Sequence, residues 1–177
     1  MRWILLVALA ACSSDKITSL DGDTVISALS ADERKQLCSD FDHWADNNRV
    51  PANRRYSCAL DALDPSRHDD KAANDSEAQQ ACRAFRDACN RRVRPDPKPV
   101  DCAEFTDELA ACPGLTIREF DECTREDVAN VKRIVEEEDL CVHYRKSFTT
   151  DDYLRFLRRD KSVGPKCRVM NDKCPKR

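Results

Sequence analysis

Ser76-Glu77-Ala78-Gln79-Gln80-Ala81-Cys82-Arg83-Ala84-Phe85-Arg86-Asp87-Ala88-Cys89 is the stretch on which the reading of the fold turns. Ser76 and Gln79 have the spacing of a capping box, in which side chain and backbone satisfy each other's unpaired amides at a helix start. Cys82, Phe85 and Cys89 then follow at intervals of three and four and share one helical face. The predicted element is a helix with a cysteine at each end of its inner face. The pattern recurs outward. Ser30-Ala31-Asp32-Glu33 caps a helix carrying Leu37, Cys38, Phe41 and Trp44 on one side. Pro51 suits a first helical position, and Tyr56, Ala59, Leu60 and Leu63 continue a helix that Pro65 ends. Asp101 caps a helix lined by Cys102, Phe105, Leu109 and Cys112, closed by Pro113-Gly114. Thr116 and Glu119 form a further box, with Leu115 and Phe120 placed as a hydrophobic staple. That helix runs through Val128, Val131 and Val135 toward Leu140. A shorter helix follows Thr150 with Tyr153, Leu154 and Leu157 inward, and a last one starts near Pro165 and carries Cys167 to Cys174. No segment alternates with period 2, so the expected class is all-α, a small disulfide-stapled helical bundle without substantial β-sheet.

The cysteines carry a longer pattern. From Cys38 the steps to Cys58, Cys82 and Cys89 are 20, 24 and 7, and from Cys123 the steps to Cys141, Cys167 and Cys174 are 18, 26 and 7. Both series span 51 residues. Cys82 to Cys89 aligns with Cys167-Arg168-Val169-Met170-Asn171-Asp172-Lys173-Cys174, sharing Cys-Arg, an apolar fourth place, Asp at the sixth and the closing Cys. We read two related helical modules of about 60 residues. Module 1 covers 30–90, module 2 covers 101–177, and the segment 91–100, with Pro95, Pro97 and Pro99, is an extended linker.

Cysteines seven apart on one helix lie about 10 Å apart along its axis, whereas a disulfide spans roughly 4.4–6.8 Å between Cα atoms. Cys82 therefore cannot bond Cys89, nor Cys167 bond Cys174, while their helices are continuous. An up-down-up arrangement within module 1 favours Cys38–Cys82 and Cys58–Cys89, with module 2 as its copy. Cys102 and Cys112 disturb that copy: they are ten apart on one helix, so either the helix breaks or they exchange partners with module 2.

At the amino end, Met1-Arg2 precedes an apolar run from Trp3 to Ala11 that ends Leu9-Ala10-Ala11-Cys12. One positive charge, a short apolar stretch and small residues at the exit describe a secretory signal. The run is well below the roughly 20 residues of a spanning helix. Leu9-Ala10-Ala11-Cys12 resembles the lipobox of bacterial lipoproteins. That resemblance implies a signal peptide over 1–11, cleavage before Cys12, and fatty acylation of Cys12 with palmitate-class chains. It also implies a membrane anchor, and Ser13 stands where an Asp would hold such a protein at the inner membrane, which resembles outer-membrane sorting. Cleavage after Ala8-Leu9-Ala10, giving a secreted or periplasmic soluble protein, is the alternative. Cysteine arithmetic favours the lipobox: eleven cysteines are an odd set for an exported chain, and assigning Cys12 to lipid leaves ten. Residues 12–29 read as a polar tether spanning on the order of 20 Å.

Charged residues are 36% and aromatics 6%, which implies a thin core reinforced by disulfides. A net charge of -3 with the signs interspersed recommends no nucleic acid. No C-x-x-C occurs, so thioredoxin-like, haem-attachment and zinc-knuckle signatures are missing. Asp40, Asp42, His43 and Asp46 crowd one helix, and His68-Asp69-Asp70 lies in a polar loop. Both read as solvated surface before they read as cation sites, and no metal or cofactor is expected. Asn74-Asp75-Ser76 matches a glycosylation acceptor that a bacterial lipobox argues against using. Together, the lipobox and the cysteine-bearing helices resemble bacterial cysteine-rich lipoproteins of unknown function. The resemblance implies a location and a fold, but no activity. The expected function is a non-catalytic, lipid-anchored envelope protein that binds another envelope protein or wall component. An envelope inhibitor or immunity-type protein is the alternative, and an enzyme with a carboxylate site comes third.

Overall fold

The structure, a computed structural model, describes residues 16–68, 72–92, 98–159 and 164–174. Residues 1–15, with the expected signal segment and Cys12, lie outside the described residues. Among those described there are seven α-helices and no β-strand, only an isolated antiparallel bridge between Val25 and Thr116. The helices are α1 (Ala31–Asn47), α2 (Arg49–Leu63), α3 (Asp75–Arg91), α4 (Cys102–Ala110), α5 (Ile117–Glu137), α6 (Thr150–Arg159) and α7 (Pro165–Lys173). The all-α, disulfide-stapled class holds.

Capping explains where most of them start. Ser30 accepts from the Glu33 amide while the Glu33 carboxylate accepts from the Ser30 amide, closing the box ahead of α1. Thr116 and Glu119 do the same for α5, and Leu115 and Phe120 are buried together as the staple. Replacing Thr116 by Ala is expected to cost about 1 kcal/mol, read as a lowered denaturation midpoint with unchanged slope. At α3 the cap is Asn74, not Ser76: the Asn74 side chain accepts from the Glu77 amide at 3.0 Å. Both sites have the box spacing, but Glu77 also accepts from the Ala73 amide and the Asn74 side chain, which Gln79 does not match. Gly114 turns the chain after α4 with φ of 66°, a left-handed conformation suited to glycine.

Burial divides into two clusters. The first gathers Ile17, Ile26 and Leu29 with Leu37 and Phe41 of α1, then Leu115, Ile117 and Phe120 at the start of α5. The second gathers Ala59, Ala62 and Leu63 of α2 with Ala78 and Cys82 of α3, and Ile134, Leu140 and Tyr144. Each cluster draws on residues from both sides of the 91–100 linker, so the proline-rich segment does not divide the packing.

The tether reading of 12–29 needs correction where the chain is described. Ile17, Thr18, Ile26 and Leu29 are buried. The Ile17 amide donates to Asp121 at 2.8 Å, and Thr18 Oγ1 donates to Asp40 at 2.6 Å. Backbone bonds from Ile26 to Leu115, Ile117 to Thr24 and Arg118 to Gly22 lay 22–26 against the start of α5. Apolar residues at 17, 20, 26 and 29 have no regular period, so their burial depends on a partner more than 80 residues away (Leu115 bonded to Ile26).

Five bridges join the ten cysteines: Cys38–Cys102, Cys58–Cys89, Cys82–Cys141, Cys112–Cys174 and Cys123–Cys167. As expected, neither cysteine pair seven apart is bonded internally, and Cys58–Cys89 forms. The Cys38–Cys82 pairing does not: Cys38 takes Cys102 and Cys82 takes Cys141, both across the linker. Nor do the two series share a scheme. The first keeps a bond between its second and fourth cysteines, the second between its first and third. Cys112 lies beyond the end of α4 at Ala110, which frees it to reach Cys174. One inward assignment also fails: Leu154 is exposed, and α6 turns Tyr153 and Phe156 to the second cluster.

Candidate binding groove

The packing of α4 and α5 opens a groove between them. α4 rests on α1 and on the 3-10 turn Ile26–Ala28, while α5 rests on α2 and α7. The two helices thus belong to different neighbours and stand apart on either side of a shared floor. That floor is aromatic. Phe41 stacks on Phe105 with ring centroids 4.7 Å apart, and Phe120 meets them at 5.6 and 5.7 Å. Phe41 and Phe120 are buried, whereas Phe105 keeps part of its ring open. The groove has a volume of about 880 Å³, and Tyr56, Val131 and Met170 supply further apolar wall. This size lies in the range of roughly 300–1,000 Å³ that small-ligand sites occupy.

Its rim is polar and unevenly charged. Asp101, Glu104 and Glu108 stand on the α4 side and Asp127 on α5, and Arg49 of α2 and Arg133 of α5 belong to the same lining. Asp101 is committed to its cap, accepting from the amides of Ala103 and Glu104. Arg133 pairs with Glu138. Glu104, Asp127 and Arg49 are exposed and have no ion-pair partner among the described residues. The α7 wall is held in place from α5: Glu126 accepts from the amides of Lys166 and Cys167, and Cys123–Cys167 ties the helices covalently. At its far end Lys173 donates to Glu119 and to the Gly114 carbonyl. The Lys173 hydrogen bond, helped by the Thr116 cap and outweighing partial burial, holds the Glu119 carboxyl below the usual carboxylate range.

A second cleft, of about 860 Å³, lies between α2, α3 and the end of α5. It is densely charged, and most of its charges are paired with one another. Arg55 meets Glu136 at 3.5 Å, and Arg83 and Arg86 converge on Asp139 at 2.6 and 2.9 Å. Partial burial resists ionisation of Asp139, but the bond and charge of Arg83, with Arg86 and the Cys141 amide, hold its carboxyl below the usual range. Arg92 and Glu137 line it outside these pairs, so what it leaves unspent among the described residues is one charge of each sign.

The candidates drawn from sequence have structural occupations. Asp40 receives the Thr18 hydroxyl and Asp42 accepts from the Val100 amide at 3.2 Å, so both fasten crossing chain segments. His43 and Asp46 are exposed. Among the described residues no three His, Cys, Asp or Glu side chains gather as metal ligands. The His68 ring packs on Tyr144 and Phe85, with Nε2 2.7 Å from the Ala62 carbonyl; Asp69 and Asp70 lie outside the described residues. Asn74 is the cap of α3. Phe105 and Met170 stood out in the sequence as apolar helix positions. That they share a groove follows from the assembly of α4, α5 and α7, which no local spacing encodes.

No family model, curated protein or solved structure matches the chain. Five disulfides mark a protein of an oxidising, extracytoplasmic compartment. No helix among the described residues is long and apolar enough to cross a membrane.

Proposed function

We propose that the protein is held at the cell envelope, at the outer membrane, by lipid on Cys12, and that it binds another envelope component without transforming it. The observation that carries this reading is the use of the cysteines. Ten of the eleven bond one another, which leaves Cys12 with no cysteine to pair with inside the chain. A lone thiol in an oxidising compartment is a liability. In Leu9-Ala10-Ala11-Cys12 the residue stands where a lipobox places its acylated cysteine. The groove between α4 and α5 supports a binding role, since its open aromatic floor and unpaired rim charges are features of recognition surfaces.

Intact mass of protein purified from its native membranes, before and after reduction, tests the anchor. The expected species begins at Cys12, carries added acyl mass, and gains about ten hydrogens on reduction, two for each bridge broken. A chain cut after Ala10 and bearing no acyl mass would reject the anchor.

A further inference from the structure

We infer that the α4–α5 groove receives an extended peptide segment in which a Lys or Arg stands beside a bulky apolar residue. The proposal deepens the binding reading above and rests on it. Charge supplies the first argument. Glu104 on α4 and Asp127 on α5 both line the groove, exposed and without an ion-pair partner among the described residues, against one such cation, Arg49. The unpaired charge of the lining is thus two carboxylates to one guanidinium, an excess that a cationic side chain complements. The floor supplies the second argument. The partly open Phe105, stacked on Phe41 with Phe120 edge-to-face beside it, offers ring area to the stem or head of that cation and apolar area to its neighbour. A main chain also brings amides and carbonyls that need partners. Asn130 on α5 and Asn171 on α7 line the same groove with side-chain amides that have no hydrogen-bond partner among the described residues. Carboxamides serve main-chain donors and acceptors alike. A small apolar ligand would leave both the carboxylates and the amides unused.

Titration of the oxidised full chain with two fluorescent probes tests this. One is the hexapeptide Leu-Lys-Phe-Lys-Leu-Lys, the other the same peptide with Glu for every Lys. The basic probe is expected to bind saturably and the acidic one at least about tenfold more weakly. The double variant Glu104→Lys/Asp127→Lys should weaken the basic probe about tenfold or more and narrow or invert the preference. Both substitutions are on exposed positions, and an unchanged far-ultraviolet circular dichroism spectrum shows that the variant is folded. Glu104→Gln/Asp127→Asn, which keeps the shape, should fall between the two. No saturable binding of the basic probe, equal binding of both probes, or an affinity untouched by charge reversal would each overturn the proposal. The broader reading fails separately. Cleavage of a bound probe, seen by mass after incubation, would remove the non-catalytic assignment while leaving peptide recognition, and an unacylated Cys12 would remove only the anchor.

Discussion

Reduction of the five bridges is expected to unfold the protein in buffer without denaturant. The bridges close loops with sequence separations from 31 to 64, and the chain-entropy account assigns each about 4 kcal/mol. These loops overlap, so the separate figures are not strictly additive. Even half of their sum, about 10 kcal/mol, matches the whole net stability of a typical domain, roughly 5–15 kcal/mol. What remains after reduction is weak by construction. The buried clusters contain several alanines and cysteines, and Cys38, Cys58, Cys82 and Cys141 are among the most fully buried side chains. Helices of 9 to 21 residues are marginal without tertiary packing. Circular dichroism at 222 nm should fall steeply on adding a phosphine reductant at neutral pH. A reduced chain that still unfolds cooperatively on heating would show that the apolar clusters suffice alone.

Asp121→Ala should carry the next largest cost, about 3 kcal/mol. Asp121 is 8% exposed, accepts from the Ile17 amide at 2.8 Å and pairs with Arg125 at 3.0 Å. Removing the carboxylate leaves the Ile17 N–H buried without an acceptor. It also strips Arg125 of its counter-charge, and the buried Arg125 Nε has no partner to begin with. Arg125 is 38% exposed, so water screens part of the loss and the figure stays at the lower end for a broken ion pair. Asp121→Asn keeps an acceptor for Ile17 and should cost about half as much. Urea denaturation reads the size of the effect, and limited proteolysis around residues 17–24 reads its place. Equal stability of all three proteins would mean that the segment is held by its apolar contacts alone.

Much of the helical architecture is legible because caps and stops are local. Ser30, Asp101 and Thr116 each need only a partner three residues on, and each starts its helix as read. The shift from Ser76 to Asn74 shows the limit of that legibility: two boxes overlapped, and the carboxylate of Glu77 decided between them. Bridge geometry was legible where it excluded a pair, since distance along a helix depends on sequence alone. It was not legible where it selected one. Cys82 finds Cys141 because α3 and the turn at Leu140 pack on the same side of α2, a fact of the assembled bundle. The repeat pattern misled for a related reason: similar spacings put similar helices in the chain, but Cys102 and Cys112 supply competing partners. Residues 17–29 were hidden by irregular apolar spacing, and the groove by its origin in helices that pack on different neighbours.

The bridging order bears on how the protein is made. Numbered along the chain, the ten cysteines join first to fifth, second to fourth, third to eighth, sixth to tenth and seventh to ninth. No bond links neighbours in that order. A polypeptide threaded through a translocon amino end first exposes Cys38 and Cys58 long before Cys102 and Cys89 emerge, so any oxidant acting on arrival joins the wrong thiols. Reaching the mature set then takes thiolate attack on those early bonds and their exchange for later ones, which proceeds in seconds to hours according to the oxidant and isomerase present. Oxidative maturation of this chain is therefore expected to need a shuffling catalyst, and a host that oxidises without isomerising should accumulate scrambled forms.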